Sequence, residues 1–122
     1  MIMLDTNIVI AYFDGEEKVI SAVENAIESG ETIALPTIVK AETLAYQNID
    51  ENTLVRMREW FYEVQLISLD SEIAEQSATL RRKTHLKLID SVIATTALMN
   101  NAKLATRDEE FQRISTLAIL QW

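Results

Sequence analysis

The 122-residue chain is 48% hydrophobic and 25% charged, which is the balance of one globular domain able to bury a single core. The absence of cysteine excludes a disulfide framework and a cysteine zinc site, and two glycines are too few for a P-loop or a dinucleotide-binding fingerprint. The net charge of −8 is unusual for a nucleic-acid binder. No secretion signal or apolar span is evident, so a cytoplasmic location is expected.

Alternating hydrophobic patterns predict strands and helices in turn along the chain. In order, they are a strand at 2–5, helices at 7–13 and 16–29, a strand at 32–35, a helix capped by Thr37 and reaching Ile49, a helix at 51–64, a strand at 65–69, helices at 70–84 and 87–101, a strand at 103–106, a short helix at 108–114 and an edge strand at 117–120. This order predicts a three-layer α/β/α fold with a central, mostly parallel sheet of four to five strands.

A carboxylate closes the first predicted strand. Asp5 follows an apolar run and is succeeded at once by Thr6, Asn7 and the next helix. It could simply cap that helix, because Asp and Asn favour this position. However, the carboxyl edge of an open α/β sheet is also where ligands bind, which makes Asp5 a candidate site residue.

Two more acids lie on helix faces that are expected to pack inward. Glu42 shares its predicted face with Ile38 and Ala45, so its charge must be compensated or functional. Asp90 stands near the start of an almost wholly apolar helix. It either favours the positive end of that helix or belongs to a site, since burying an unpaired carboxylate is costly.

The fourth acid, Asp108, follows the strand at 103–106. Thr106 and Glu109 have capping-box spacing, which leaves Asp108 without a structural role. If the first and fourth strands are neighbours, all four acids can line one crevice: Asp5, Glu42, Asp90 and Asp108. Oxygen-only ligands suit Mg²⁺ or Mn²⁺, and two such ions can promote hydrolysis of a phosphodiester.

Other chemistries lack essential parts. His85 is the only histidine, and the chain has no nucleophile elbow, so a serine triad is not expected. His85 lies beside Arg82 and Lys83 and is predicted to be a surface residue rather than a ligand. Residues 81–113 carry +3, with seven basic and four acidic residues, while the rest of the chain carries −11. This asymmetry indicates either a phosphate-facing patch or a solvated helix end.

Four segments around these acids resemble the acidic blocks of PIN-domain ribonucleases: LDTN at 4–7, PTIVKAE at 36–42, LIDSVIA at 88–94 and LATRDEEF at 104–111. The small size is similar to that of VapC-type toxins of prokaryotic toxin–antitoxin pairs. The resemblance implies a Mg²⁺- or Mn²⁺-dependent endoribonuclease that cuts structured RNA, such as tRNA or rRNA, and leaves a 5′-phosphate. It also implies a homodimer held inactive by a small antitoxin.

The resemblance also implies a role for each site residue. Asp5 and Asp90 would be the main metal ligands, and Glu42 and Asp108 would complete the cluster. Hydrogen bonds to ligands or water would come from Thr6, Asn7 and Thr106, and Arg107 could contact phosphate. Ile89 and Ser91 depart from the proline and alanine common in the family, which bears on substrate preference more than on chemistry.

Two alternatives stay open. A non-catalytic, receiver-like regulatory module could use the crevice to bind a cation and a partner. However, a receiver needs paired acids at its first strand, whereas Asp5 stands alone. It also needs a lysine after a late strand, whereas Lys103 begins its strand. The same scaffold could cut DNA, because these residues do not reveal recognition of the RNA 2′-OH.

Three consecutive aromatic residues cannot all face inward on one helix. Phe61 is expected to face the core, which leaves either Trp60 or Tyr62 at the surface. The surface aromatic is either ordinarily exposed or a contact for a partner.

Overall fold

The computed structural model describes residues 1–122 and contains five strands and six α-helices. The strands are β1 (Ile2–Leu4), β2 (Ile33–Pro36), β3 (Gln65–Ile67), β4 (Lys103–Ala105) and β5 (Ile119–Leu120). The helices are α1 (Thr6–Phe13), α2 (Glu17–Glu28), α3 (Thr37–Leu44), α4 (Glu51–Trp60), α5 (Ser71–Thr84) and α6 (Leu88–Met99), with a 3-10 helix at Glu109–Arg113. None of the helices combines the length and apolar character needed to cross a membrane.

The strands form one sheet in the order β3-β2-β1-β4-β5, and every neighbouring pair is parallel. The chain moves outward from β1 to β3 and then crosses back to β4, so β1 and β4 flank the point where its direction reverses. Since crossovers between parallel strands are right-handed, this reversal puts α1–α4 on one face and α5 and α6 on the other. The predicted α/β fold is confirmed, and the first and fourth strands are neighbours, which is the condition for the four acids to line one crevice.

The core lies between the sheet and its helices. All residues of β1 are buried, as expected for a short apolar strand covered on both faces. Helix α6 is buried from Ser91 to Ala97, which confirms the prediction made from its apolar sequence. Because the middle of α6 is buried in the core, its first turn, which carries Asp90, has a fixed position relative to the sheet edge.

The predicted inward face of the helix after β2 was wrong. Val39 and Thr43 are the buried residues of α3, whereas Ala45 is exposed and only caps the end of the helix. The helix thus ends before Ile49, and Asp50 caps the next helix, α4, where its side chain accepts a hydrogen bond from the Thr53 amide at 2.7 Å. Glu42 is therefore only partly buried and stands beside the packed face instead of within it.

One smaller prediction was also wrong, and the prediction for the three consecutive aromatic residues is confirmed. Thr37 does not cap α3 but is its first residue, and its hydroxyl accepts a hydrogen bond from the Leu69 amide at 3.3 Å. Among the aromatic residues, Trp60 stacks on Tyr12 with ring centroids 5.4 Å apart, and Phe61 is buried. Tyr62, which is 91% exposed, is the aromatic left for the surface.

Candidate functional site

Asp5 is the most buried of the four candidate acids, with 5% of its surface exposed. It follows β1 directly and caps α1, with Oδ1 accepting a hydrogen bond from the Thr6 amide at 2.7 Å. Its Oδ2 accepts from Thr106 Oγ1 at 2.6 Å and from Asn7 Nδ2 at 2.9 Å. The capping role and the place at the crevice thus belong to the same side chain.

These contacts join the ends of the two central strands. Asn7 also accepts a hydrogen bond from the Arg107 amide at 3.3 Å through its Oδ1. Because Asn7 lies in the first turn of α1 and Thr106 follows β4, the Asp5 carboxylate is fixed from both sides of the strand reversal. The hydrogen-bonding roles expected of Asn7 and Thr106 toward Asp5 have direct geometric support.

Glu42 reaches the same edge from α3. The hydroxyl of Thr6 donates a hydrogen bond to Glu42 Oε1 at 2.7 Å. Since the Thr6 amide donates to Asp5, one residue connects both carboxylates. The packing of α1 against α3 brings this pair together across 36 residues of sequence.

Asp90 lies in the first turn of α6, half-buried, and no hydrogen bond or ion pair engages its carboxylate. Burial raises the pKa of Asp90, the negative charges of Asp108, Glu42 and Glu110 raise it further, and Lys87 opposes them. Burial likewise raises the pKa of Asp5, against the lowering effect of its hydrogen bonds from Thr106 and Thr6, and the charges of Asp90 and Glu42 add to the increase. The four predicted acids therefore act on one another electrostatically.

Asp108 has a structural role that the sequence reasoning missed. It caps the 3-10 helix, with Oδ1 accepting a hydrogen bond from the Glu110 amide at 2.9 Å. Thr106, instead of forming a capping box with Glu109, accepts from the Asp108 amide at 3.1 Å and donates to Asp5. The predicted capping box was wrong, because the partner of Thr106 comes from a distant part of the chain.

The exposed side chain of Arg107 is engaged in contacts with other residues of the chain. Its guanidinium forms an ion pair with Glu16, and its Nε donates to the Trp122 carbonyl at 2.8 Å. The predicted contact with phosphate would require this pair to open or to be shared. Sequence analysis also missed Glu110, whose charge acts on Asp90; its only sequence clue was its place two residues after Asp108.

The donors of this crevice fit a hard divalent cation. None of the four carboxylates forms an ion pair with a lysine or arginine, so their mutual repulsion is offset only in part, by hydrogen bonds to Asp5 and by the charge of Lys87 near Asp90. No group of three or more Asp, Glu, His or Cys side chains forms a preassembled metal site. Binding through one or two carboxylates with water completing the coordination is the mode that Mg²⁺ favours.

The chain matches known proteins in both sequence and structure. Residues 2–117 match the PIN domain. The VapBC2 structure from Rickettsia felis, bound to a DNA fragment from its promoter, matches with a TM-score of 0.86 and 25% identity, covering 100% of this chain and 99% of that chain. A toxin–antitoxin complex from Klebsiella pneumoniae matches with a TM-score of 0.82 and 27% identity, covering 99% of this chain and 97% of that chain.

VapBC-1 from nontypeable Haemophilus influenzae matches with a TM-score of 0.78 and 28% identity, covering 100% of this chain and 98% of that chain. None of the curated proteins matches the sequence. Two of these matched structures are VapBC complexes and the third is a toxin–antitoxin complex, which supports a VapC-like nuclease. The chain belongs to the PIN domain family, with a fold like that of VapC-type toxins.

Proposed function

We propose that this protein is a Mg²⁺- or Mn²⁺-dependent endoribonuclease that hydrolyses phosphodiester bonds in structured RNA such as tRNA or rRNA. The observation that carries the proposal is a buried Asp5, fixed by three hydrogen bonds, within electrostatic reach of Asp90 and Glu42. Acids held together without basic partners are unfavourable unless a cation joins them. The resemblance of the four acidic segments to those of PIN-domain ribonucleases supports the same assignment.

Each residue has a distinct task in this proposal. Asp5 and Asp90 hold the metal, and Glu42 and Asp108 complete the cluster around it. Thr6, Asn7 and Thr106 orient the carboxylates through the hydrogen bonds described above. A bound ion would supply Lewis acidity and help to activate water for attack on phosphorus.

The biological setting follows from the relatives. The matched structures include VapBC complexes, so we propose that this chain is the toxin of a type II pair and that a small antitoxin holds it inactive. We further propose a cytoplasmic location and a homodimer. The receiver-like alternative is not favoured, because Lys103 begins β4 and pairs with Glu31 instead of approaching Asp5.

The decisive experiment compares RNA ends after brief expression of wild type, Asp5→Asn and the matched control Asp14→Asn. Asp14 is exposed and lies at the end of α1, so its substitution makes the same chemical change outside the crevice. We expect 5′-phosphate ends enriched at particular RNA sites with wild type and Asp14→Asn only. Purified protein should lose the activity in EDTA and regain it with Mn²⁺. Cleavage that survived both Asp5→Asn and EDTA would refute the proposal.

A further inference from the structure

A cavity lies at the corner where α5 turns into α6. Its volume is about 530 Å³, and it is lined by Ala78, Arg81, Arg82, His85, Leu86 and Leu88. Arg81 maintains the corner, since its Nη1 donates to the Leu86 carbonyl at 3.2 Å. The remaining polar groups, Arg82 and His85, make no side-chain hydrogen bond within the protein. We call Arg82, His85 and Leu88 the corner site.

The basic side chains around this corner have no acidic partner. The protein carries 19 acidic residues, yet Arg82 and the neighbouring Lys83 and Lys87 form no ion pair with any of them. Other unpaired cations, such as Lys18 and Arg58, do not line this cavity. Cations left without carboxylates on an acidic protein leave the corner free for an anion from outside.

The corner adjoins the acidic crevice. Leu88 is the first residue of α6 and Asp90 the third, a separation of about 3 Å along the helix axis at the usual helical rise. Lys87, directly before the helix, influences Asp90 electrostatically. Leu88 and Asp90 project from different sides of the helix, but the corner and the crevice lie close enough for one extended polynucleotide to reach both.

We propose that the corner site binds the RNA nucleotide that flanks the scissile phosphate. The guanidinium of Arg82 would bind that nucleotide's phosphate, and the His85 ring and the 56%-exposed side chain of Leu88 would contact its base. Guanidinium groups match phosphate oxygens in a two-pronged geometry, and unpaired RNA bases stack on histidine and other flat side chains. This inference rests on the proposed nuclease function.

Nucleic acid suits the corner better than an acidic peptide does. A cation next to an imidazole and an apolar side chain offers partners for both a phosphate and a base. An acidic peptide would use the cation but would leave the apolar surface of Leu88 unmatched.

The backbone at the corner allows a clean test. His85 has φ of 57°, the left-handed conformation at the end of α5, which glycine adopts without steric cost. His85→Gly should therefore remove the ring without destabilising the fold. Arg82→Gln removes one exposed charge from α5, and Arg58→Gln makes the same change on α4, across the sheet, as the control.

The measurement is fluorescence anisotropy of a labelled tRNA transcript with Mg²⁺ and increasing NaCl, in the Asp5→Asn background to prevent cleavage. We expect Arg82→Gln to raise Kd about tenfold, as for loss of one charged hydrogen-bonding contact, and to reduce the slope of log Kd against log salt by about 0.7–0.9. His85→Gly should raise Kd with little change in slope. Arg58→Gln should match its parent in both respects.

Each outcome bears on the proposal. If Arg82→Gln and His85→Gly bind the transcript as tightly as Arg58→Gln does, the corner site is refuted. If they lose affinity only for a polyglutamate peptide, the corner binds an acidic protein segment and the RNA proposal is again refuted. Metal-dependent cleavage by wild type, measured separately, distinguishes a failure of the corner site from a failure of the nuclease function.

Discussion

The hydroxyl of Thr106 donates a hydrogen bond to Asp5 Oδ2 at 2.6 Å, joining residues 101 positions apart in the sequence. Each residue directly follows one of the two central strands, β1 and β4, which pair in parallel through Leu4 and Ala105. The bond stabilises the ionised form of a carboxylate that burial would otherwise favour as the neutral acid. It therefore connects the topology of the sheet to the charge state of the site.

Replacing this donor should shift the pH dependence of RNA cleavage. In Thr106→Val the carboxylate loses the hydrogen bond that lowers its pKa, so the pKa of Asp5 should rise further. If cleavage needs ionised Asp5, the acidic limb of the rate profile should move to higher pH. Thr106→Ser retains the hydroxyl and should restore the wild-type profile. An unshifted profile in Thr106→Val would contradict this role.

Asp90→Asn should be at least as stable as wild type in the presence of a chelator. Burial, followed by Asp108 and Glu42, raises the pKa of Asp90, so the folded state favours its protonated form. As pH rises from the ordinary value of 3.8 through that raised pKa, wild type should lose stability relative to the variant. The difference should vanish at low pH and become constant above the folded-state pKa.

Urea unfolding of both proteins over this pH range measures the effect. Added Mn²⁺ should stabilise wild type more than Asp90→Asn, because the variant lacks one ligand. A variant that is clearly less stable than wild type in chelator at neutral pH would mean that Asp90 mainly stabilises the start of α6.

Two substitutions of Asp108 should separate its capping role from its charge. Asparagine can still accept the hydrogen bond from the Glu110 amide, so Asp108→Asn should keep the thermal stability while cleaving RNA more slowly. Alanine cannot accept it, so Asp108→Ala should also lose about 0.5–2 kcal/mol of unfolding free energy. Thermal melts and single-turnover cleavage distinguish these effects. Full activity in Asp108→Asn would make Asp108 a capping residue alone.

Thr95→Val should stabilise the protein. The Thr95 hydroxyl is buried in α6 without any hydrogen-bond partner, so replacing it with a methyl group should raise the free energy of unfolding by about 1 kcal/mol. The adjacent Thr96 provides the control, because its hydroxyl donates to the Val92 carbonyl at 2.7 Å. Thr96→Val should lower the free energy of unfolding by about 0.5–1.5 kcal/mol. Equal shifts in urea midpoint for the two variants would contradict the argument.

Local patterns were sufficient where a residue's neighbours in sequence determine its environment. The apolar run of β1 and the apolar helix α6 were recognisable because full burial requires unbroken hydrophobic sequence. The start of α4 depends on Asp50 and Thr53, which lie within one turn of each other. The face of α3 was assigned wrongly because both its sides carry apolar residues, and packing against α1 and α6 decided between them.

The sequence by itself determined the alternation of strands and helices, and with it the edge at which Asp5 stands, because backbone periodicity and burial are local properties. Only the tertiary structure decided that Thr106 donates a hydrogen bond to Asp5, that Thr6 connects Asp5 with Glu42 and that Asp108 caps a 3-10 helix. Hydrogen bonds form between whichever groups the fold brings within about 3 Å, and no local pattern contains that information.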